Sequence, residues 1–503
     1  MSFPKRDIPL TWLTGLFLLN VVIRLPVIGH FLTSDEAWIL CSLKDFSESK
    51  QLFSLQLWKH PPVYLGLGML LAPTSSGFEI RMQILSLVIS SGALVLFTVL
   101  FSKLYGRKIA LLAGLIYTML PATLFFDTWI KRDGLVSFFC ALALLALLKR
   151  KDILAGIFFG LCLLSKETAI FFIFGFWAFI LFHRPPNTVR RTVLLFWGTA
   201  FTVSSWWYLF FDSFSNHYLS FFRGASAETI GFLLPWWYYL TKLKIDLGWF
   251  GLIVLITGIL AVIPNAFLKK DWGNTLNQFK RSRFLPVFML VPGYILLSFS
   301  RGKPPWMTIS FSPFLALLSA FGSLFLFKLV SQALRKITSR EILHNKWIAP
   351  IVFIGLFSAN TFPFSYGNHF KSMSPNLAKI TLSSYEMSDV VNKNVAENEK
   401  LLILPMIFRT APNQADPILY WNLKQVETLY FKGSHLNFAQ FQKTIEKNRI
   451  NWALIFPVAG SWQEDLFEDI VSEMNPAGFM FSTGYLLKVD SYWNNNKEQN
   501  KDL

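Results

Sequence analysis

Charge is scarce in this chain. Only 15% of its 503 residues are Asp, Glu, Lys or Arg, against about 25% in soluble domains. Acidic residues are the rarer sign, 30 against 47 basic. Three cysteines, Cys41, Cys140 and Cys162, are too few and too scattered for a disulfide framework. No Gly-rich phosphate loop follows any strand-like run, which argues against a nucleotide site of that kind. No small-residue cleavage site follows the apolar run behind Lys5 and Arg6. That run is therefore expected to persist as a helix and not to leave as a signal peptide.

What is abundant is apolar: 53% hydrophobic residues and 17% aromatics. Repeated apolar runs predict a polytopic α-helical membrane protein, so a lipid bilayer is the first expected partner. The net charge of +17 might suggest a nucleic-acid binder, but its distribution argues otherwise. Residues 363–503 hold 13 basic and 15 acidic residues, so the excess lies between the apolar runs, where it signals topology. No nucleic-acid partner is expected.

The runs predict about 11 transmembrane helices, near 8–28, 80–101, 109–125, 134–148, 192–211, 247–267, 284–299, 307–327 and 347–361, with two short ones inside 153–182. That last pair is split at Ser165-Lys166-Glu167, because two charges in mid-hydrocarbon disfavour a single span. An amphipathic stretch, 39–58, is expected to lie along the interface. Loops on the N-terminal side carry 21 Lys/Arg and 4 Asp/Glu, and the opposite loops 13 and 11. The positive-inside rule then makes the N-terminus cytoplasmic and residues 363–503 extracytoplasmic. With no eukaryotic sorting signal, a bacterial inner membrane is the expected location. Residues 1–362 form the expected membrane domain. Residues 363–503 read as a small α/β domain, with strand-like runs at 401–406, 426–431, 452–457 and 478–483 and helical runs at 437–447 and 462–474.

The expected outer side gathers Asp35, Glu36, His60, Asp127, Lys131, Arg132, Asp133, Lys166, Glu167, His217, Arg223, Arg301 and Lys303. Ionisable residues at a membrane boundary are costly and tend to serve function. Carboxylates, imidazoles and cations in that place suit a substrate that is half lipid and half polar, such as a lipid-phosphate sugar. Its phosphate needs Lys or Arg. Phosphate leaves readily, so cations that stabilise its charge matter more than a strong general acid. An acceptor hydroxyl must lose its proton as it attacks, and a positioned carboxylate is the natural base. One carboxylate in a single displacement would invert the anomeric configuration.

Several segments come in a telling order. They are Ser34-Asp35-Glu36-Ala37, His60-Pro61-Pro62-Val63-Tyr64, Lys131-Arg132-Asp133-Gly134-Leu135 and Gly160-Leu161-Cys162-Leu163-Leu164-Ser165-Lys166, then Pro235-Trp236-Trp237-Tyr238-Tyr239-Leu240, and finally Ser300-Arg301-Gly302-Lys303 with Pro313-Phe314-Leu315-Ala316. In this order, over about residues 10–330, the chain resembles the membrane mannosyl- and aminoarabinosyl-transferases that use polyprenyl-phosphate sugars. The resemblance implies Asp35 as catalytic base and Asp133 as a second active-site acid, with Glu36 in support. It implies Lys166, Arg301 and Lys303 as contacts to the lipid phosphate. Donor and acceptor would be a polyprenyl-phosphate-linked sugar and a protein, lipid or glycan. Some relatives carry Glu-Lys before the double proline, with the Glu as a metal ligand. Here the pair is Lys59-His60, which leaves His60 and His217 as candidate ligands for a divalent metal ion. Trp306 stands where the late segment often has Tyr.

Plainer readings exist for each residue. Ser34, Asp35 and Glu36 suit a helix start, and Asp133 a second one. Lys166 beside Glu167 reads as a local ion pair, Asp127 as an ordinary loop charge, and Arg301 and Lys303 as part of a helix break before Pro304-Pro305. Trp236 to Tyr239 read best as an interfacial aromatic belt. Two other functions compete with sugar transfer: a lipid-sugar flippase or transporter, and a non-catalytic envelope assembly or sensing protein.

Overall fold

The computed structural model describes residues 8–30, 32–48, 61–210, 234–262, 284–300, 303, 305–337, 355, 375–404, 417–423, 427–431, 435–456, 461–474, 476–481 and 484–489. The chain opens with α1 (Leu10–Arg24), α2 (Ser34–Ser47) and α3 (Pro62–Met69). A bundle follows: α4 (Phe78–Tyr105), α5 (Arg107–Met119), α6 (Pro121–Phe126), α7 (Asp133–Leu148), α8 (Asp152–Leu163), α9 (Ile173–His183), α10 (Pro186–Phe210), α11 (Tyr238–Val262), α12 (Leu285–Phe299) and α13 (Ser312–Ile337). Four described segments are long and apolar enough to cross a membrane: Leu10–Val27, Phe78–Tyr105, Tyr238–Val262 and Trp306–Val330. Rows of exposed apolar side chains, such as Ile253, Ile256 and Leu260 on α11 and Val291, Ile295 and Phe299 on α12, face away from the bundle. Such a surface is stable against lipid and unfavourable against water.

Close helix contacts rest on small residues, as expected where lipid removes the hydrophobic drive between helices. A Cβ on Gly258 of α11 would lie 2.0 Å from the Leu318 carbonyl oxygen, and one on Gly322 of α13 would lie 1.9 Å from that of Val254. The break at Ser165-Lys166-Glu167 is present: α8 stops at Leu163, a 3-10 turn runs over Glu167–Phe172, and α9 follows. The helix expected over 109–125 is two, because Pro121 ends one and starts the next at its first helical position. α11 is kinked at Gly248, whose φ of 68° and ψ of 173° are non-helical, so the start expected near 247 is the start of its second part, and extra turns from Tyr238 precede it. Its extra turns carry Lys242 and Asp246, which pair with each other one turn apart. The stretch expected along the interface begins earlier, at Ser34, and is buried: Ala37, Leu40, Cys41 and Leu43 have no exposure. Its expected continuation over 49–58, and the span expected at 347–361 apart from residue 355, lie outside the described residues.

The C-terminal unit contains α14 (Pro375–Asn394), α15 (Pro417–Asn422), α16 (Phe438–Asn448) and α17 (Trp462–Met474) around one sheet. Its strands are β1 (Lys400–Ile403), β2 (Glu427–Tyr430), β3 (Trp452–Ile455), β4 (Gly478–Phe481) and β5 (Gly484–Lys488), in the order β2-β1-β3-β5-β4. β1 lies parallel to β2 and β3, while β5 runs antiparallel to β3 and β4. Alternation along the strands gives the sheet two buried faces. Leu401, Ile403 and Leu454 pack with Met387 and Val391 of α14, and Leu402, Ala453 and Ile455 pack with Phe441, Ile445 and Ile470 of α16 and α17.

Candidate active site

The site begins at a helix cap. Thr33 caps α2, and Glu36 at the third helical position completes a capping box. Glu36 Oε2 accepts the Thr33 backbone N–H at 2.8 Å and the Thr33 hydroxyl at 2.9 Å. Its Oε1 accepts the Ile130 N–H at 3.0 Å and faces His30 Nε2 at 3.2 Å. His30 Nδ1 faces the Val27 carbonyl at 3.0 Å, so both ring nitrogens meet oxygen atoms. Burial works against the Glu36 charge, but His30 and the N–H groups of Thr33 and Ile130 hold its carboxyl below the usual range. Glu36 thus ties the loop after α1, the start of α2 and the loop before α7 into one unit.

Asp35 is its neighbour on α2 and meets different surroundings. Protein lies close on several sides, yet half of the side chain is reachable by solvent. Lys131 donates to Asp35 Oδ2 at 2.8 Å. The same ammonium sits 3.4 Å from the ring centre of Trp306 and 4.9 Å from that of Trp129, a favourable place for a cation. Desolvation pushes the Asp35 carboxyl up. The charge and hydrogen bond of Lys131, with the charges of Arg132 and Lys166, outweigh it and hold Asp35 below its ordinary value. Burial pushes the Lys131 ammonium down, with Asp35 working against that shift.

Asp133 opens α7 and is 3% exposed. Lys166 Nζ donates to both its oxygens, at 2.8 and 2.7 Å. Lys166 therefore pairs across the fold with Asp133 and not with its neighbour Glu167. Gly134 lets α7 come close to α4: a Cβ there would lie 2.6 Å from Ser90 Oγ. A small recess results, lined by Ser90, Phe126, Trp129, Lys131, Asp133, Gly134 and Ile309. Lys303 is buried, and its ammonium donates to the Ser300 carbonyl. Arg301, His60 and His217 lie outside the described residues. Among the described residues no group of three or more His, Cys, Asp or Glu side chains is placed to hold a metal. Asp35 and Asp133 each face an ammonium, and both oxygens of Glu36 are taken up, so these carboxylates do not form a cation cage.

Two buried pairs were not legible in the sequence. Asp127, expected as an ordinary loop charge, is 2% exposed and ion-paired with Arg24 at 2.9 Å, and Tyr117 donates to it at 3.0 Å. Arg24 also donates to the Thr123 hydroxyl at 3.0 Å and to the carbonyls of Asn20, Thr118 and Thr123. A lone acid leaves its loop for the interior only where a cation waits, and the available signal was Arg24 following Asn20 by one helical turn. The second pair is Lys242 with Asp246, joined by the Thr308 hydroxyl and lying beside the Phe126 ring. Its signal was the i, i+4 spacing at the head of an apolar run. Trp236 and Trp237, just before α11, are exposed, as interfacial aromatics would be.

No family model and no curated protein matches the chain. Solved structures do. ArnT from Cupriavidus metallidurans, bound to undecaprenyl phosphate, aligns with a TM-score of 0.58 and 12% identity, covering 97% of this chain and 99% of that one. The archaeal oligosaccharyltransferase AglB from Archaeoglobus fulgidus, in complex with an inhibitory peptide and a dolichol-phosphate, aligns with a TM-score of 0.54 and 12% identity, covering 96% of this chain and 74% of that one. At such identity the likeness is one of fold, and it agrees with the resemblance carried by the ordered segments of the sequence.

Proposed function

We propose that this protein is an integral membrane glycosyltransferase that moves a single sugar from a polyprenyl-phosphate donor to an acceptor on the outer side, with inversion, and that Asp35 is the base. The observation that carries this is the Asp35 carboxylate itself. It is held ionised, half-exposed and hydrogen-bonded through one oxygen to Lys131, in a fold shared with proteins solved with undecaprenyl phosphate or dolichol-phosphate.

The chemistry follows from the free face of that carboxylate. With Oδ2 engaged by Lys131, Oδ1 takes the proton of the acceptor hydroxyl. The acceptor oxygen attacks the anomeric carbon, and the bond from that carbon to the phosphate oxygen breaks. The phosphate leaves with the bonding pair and gains negative charge. Lys166, Lys303 and Arg301 are assigned to that charge. Asp133, on the wall of the recess, holds the Lys166 ammonium with both oxygens, and Lys166 turns from it to the phosphate. Glu36 is assigned to support, since its oxygens already serve His30, Thr33 and Ile130. His60 and His217 stay the candidate ligands of a divalent metal ion. The positive-inside pattern supports a cytoplasmic N-terminus and an extracytoplasmic C-terminal unit, and the proposed membrane is a bacterial inner one.

The test is transfer in proteoliposomes supplied with a polyprenyl-phosphate sugar. Asp35→Asn should lower turnover by about 10²- to 10⁴-fold, the usual range for losing a general base, with the protein still folded and inserted. Near-normal turnover of Asp35→Asn would overturn the assignment. Movement of the sugar lipid across the bilayer with no product formed would favour a transporter. Mass spectrometry of envelope glycans and glycoproteins, with and without the protein, would identify sugar and acceptor.

A further inference from the structure

The cap around Glu36 is not all that holds α2. The C-terminal unit holds it as well, from the other side and at both ends. Ahead of the cap, the Leu32 N–H donates to the hydroxyl of Tyr385 on α14 at 2.6 Å. In the last turns of α2, Asp45 Oδ1 accepts from the hydroxyl of Tyr420 on α15 at 2.9 Å. Between these points Ile418 of α15 is buried in one cluster with Ala37, Leu40 and Leu43 of α2. Trp421 extends the contact to α4. Its indole N–H donates to Glu79 Oε2 at 2.6 Å, its ring lies 6.4 Å from that of Phe78, and the Lys44 ammonium of α2 stands 5.8 Å from it.

α15 is itself fixed to the C-terminal core. Leu419 is buried among Met387, Leu401 and Leu454, and the Asn392 side chain donates to the Asn422 carbonyl at 2.9 Å. A helix of 14 residues is roughly 20 Å long. Contacts at its two ends therefore resist tilting far better than one cap does. Tilt matters because Asp35 stands in the first turn of α2, and its geometry to Lys131 depends on where that turn sits.

We propose that the C-terminal α/β unit is a brace for α2, and that Tyr385, Tyr420 and Trp421 are positioning residues that set the Asp35 carboxylate through that helix. The assignment rests on Asp35 as the base. It gives the C-terminal unit a part in the reaction without any contact to substrate.

The full-length protein in lipid nanodiscs provides the test. In the double variant Tyr385→Phe/Tyr420→Phe, and in Trp421→Ala, kcat should fall on the order of ten-fold or more, as expected for a misplaced reacting group. The donor KM should stay about the same, and amide hydrogen exchange over Ser34–Ser47 should rise. Trp421→Phe, which keeps a ring against Phe78, should recover part of the loss. Met480→Ala, at an exposed position on β4, should change neither kcat nor α2 exchange. Unchanged kcat and unchanged α2 exchange in the double variant would overturn the brace, as would an equal loss in Met480→Ala. The two readings fail separately. Full activity of Asp35→Asn with raised α2 exchange in the double variant sinks the base and leaves the contact. An inactive Asp35→Asn with α2 exchange unchanged in the double variant sinks the brace alone.

Discussion

Lys131 is held in three ways at once: by the Asp35 carboxylate at 2.8 Å, by the face of Trp306 and by the face of Trp129. Only the first of these acts on the proton affinity of Asp35. Desolvation raises the Asp35 carboxyl, and Lys131 is the largest influence working the other way. Lys131→Met keeps much of the packing and removes that influence, so the Asp35 pKa should rise. The acid limb of the pH profile of kcat/KM should move to higher pH, while the limiting rate at high pH falls less than in Asp35→Asn. An unmoved acid limb would show that another group sets it. The same direction governs stability. Asp35 and Glu36 are both held below their ordinary values, so their contribution is present at neutral pH and is lost as pH falls below about 4, through the folded-state pKa values. Glu36 has the larger structural share, because three parts of the chain meet on it. Glu36→Ala leaves the Thr33 and Ile130 N–H groups without this acceptor and should cost about 1–3 kcal/mol, the range for buried donors left unsatisfied. Thermal unfolding in detergent would read this loss, and a Tm equal to that of the parent would contradict it.

Among the elements, α11 and α13 decide where the aromatic wall of the site stands. The turn ahead of α13 carries Trp306, Thr308 and Ile309. The register of α13 against α11 depends on Gly258 and Gly322, where there is no room for a Cβ. Gly322→Ala should force the helices apart and cost about 1–3 kcal/mol, as overpacking does. A lowered Tm together with weakened donor binding is the expected result, and wild-type values for both would mean the contact adjusts freely. Some of this scale is readable in a sequence. Lys166 and Glu167 could not sit in mid-hydrocarbon, so the break between α8 and α9 followed from charge alone. The α16 and α17 helices followed from their apolar spacing. Other features were hidden for physical reasons. Six-residue α15 is too short to show a period, yet it holds α2. β5 begins three residues after β4 ends, with no turn signal long enough to set it apart, so the run expected at 478–483 covers β4 and stops before β5. Arg24 with Asp127, and Lys131 with Asp35, meet across about a hundred residues of chain. A sequence shows the charges of such a pair but not which of them will meet. Asp35 itself was legible because a carboxylate at a membrane boundary invites a reason. Its being half-open while Glu36 is closed was not legible, because adjacent acids look alike until the fold separates them.

Across the whole molecule, the polar contacts around Asp35, Glu36 and Asp133 gather at one end of the bundle, while a second network, Arg184 and Thr192 on Asp152, lies at the other. The loop after α1, all of α2, the loop before α7, the turn after α8 and the turn before α13 meet at the first of these ends, and the C-terminal unit docks on that end through α15. The turns at the opposite ends of these helices, such as Arg107 and Lys108 or Lys149 to Lys151, are basic, the bias that the positive-inside rule associates with cytoplasmic loops. This arrangement makes sidedness testable without any knowledge of the sugar. Cys41, Cys140 and Cys162 are all buried, so a new surface cysteine should be the only thiol that reacts readily. Thr74 is exposed in the turn before α4, at the end that carries Asp35, and Lys151 is exposed between α7 and α8, at the other. A membrane-impermeant maleimide applied to intact spheroplasts should label Thr74→Cys at once and Lys151→Cys only after lysis. The reverse order would place Asp35 on the cytoplasmic side, where the acceptor would have to be cytoplasmic too. Equal labelling of both before lysis would mean that the helices between them do not separate two compartments, and the reading of α4 to α7 as membrane-crossing would fall with it.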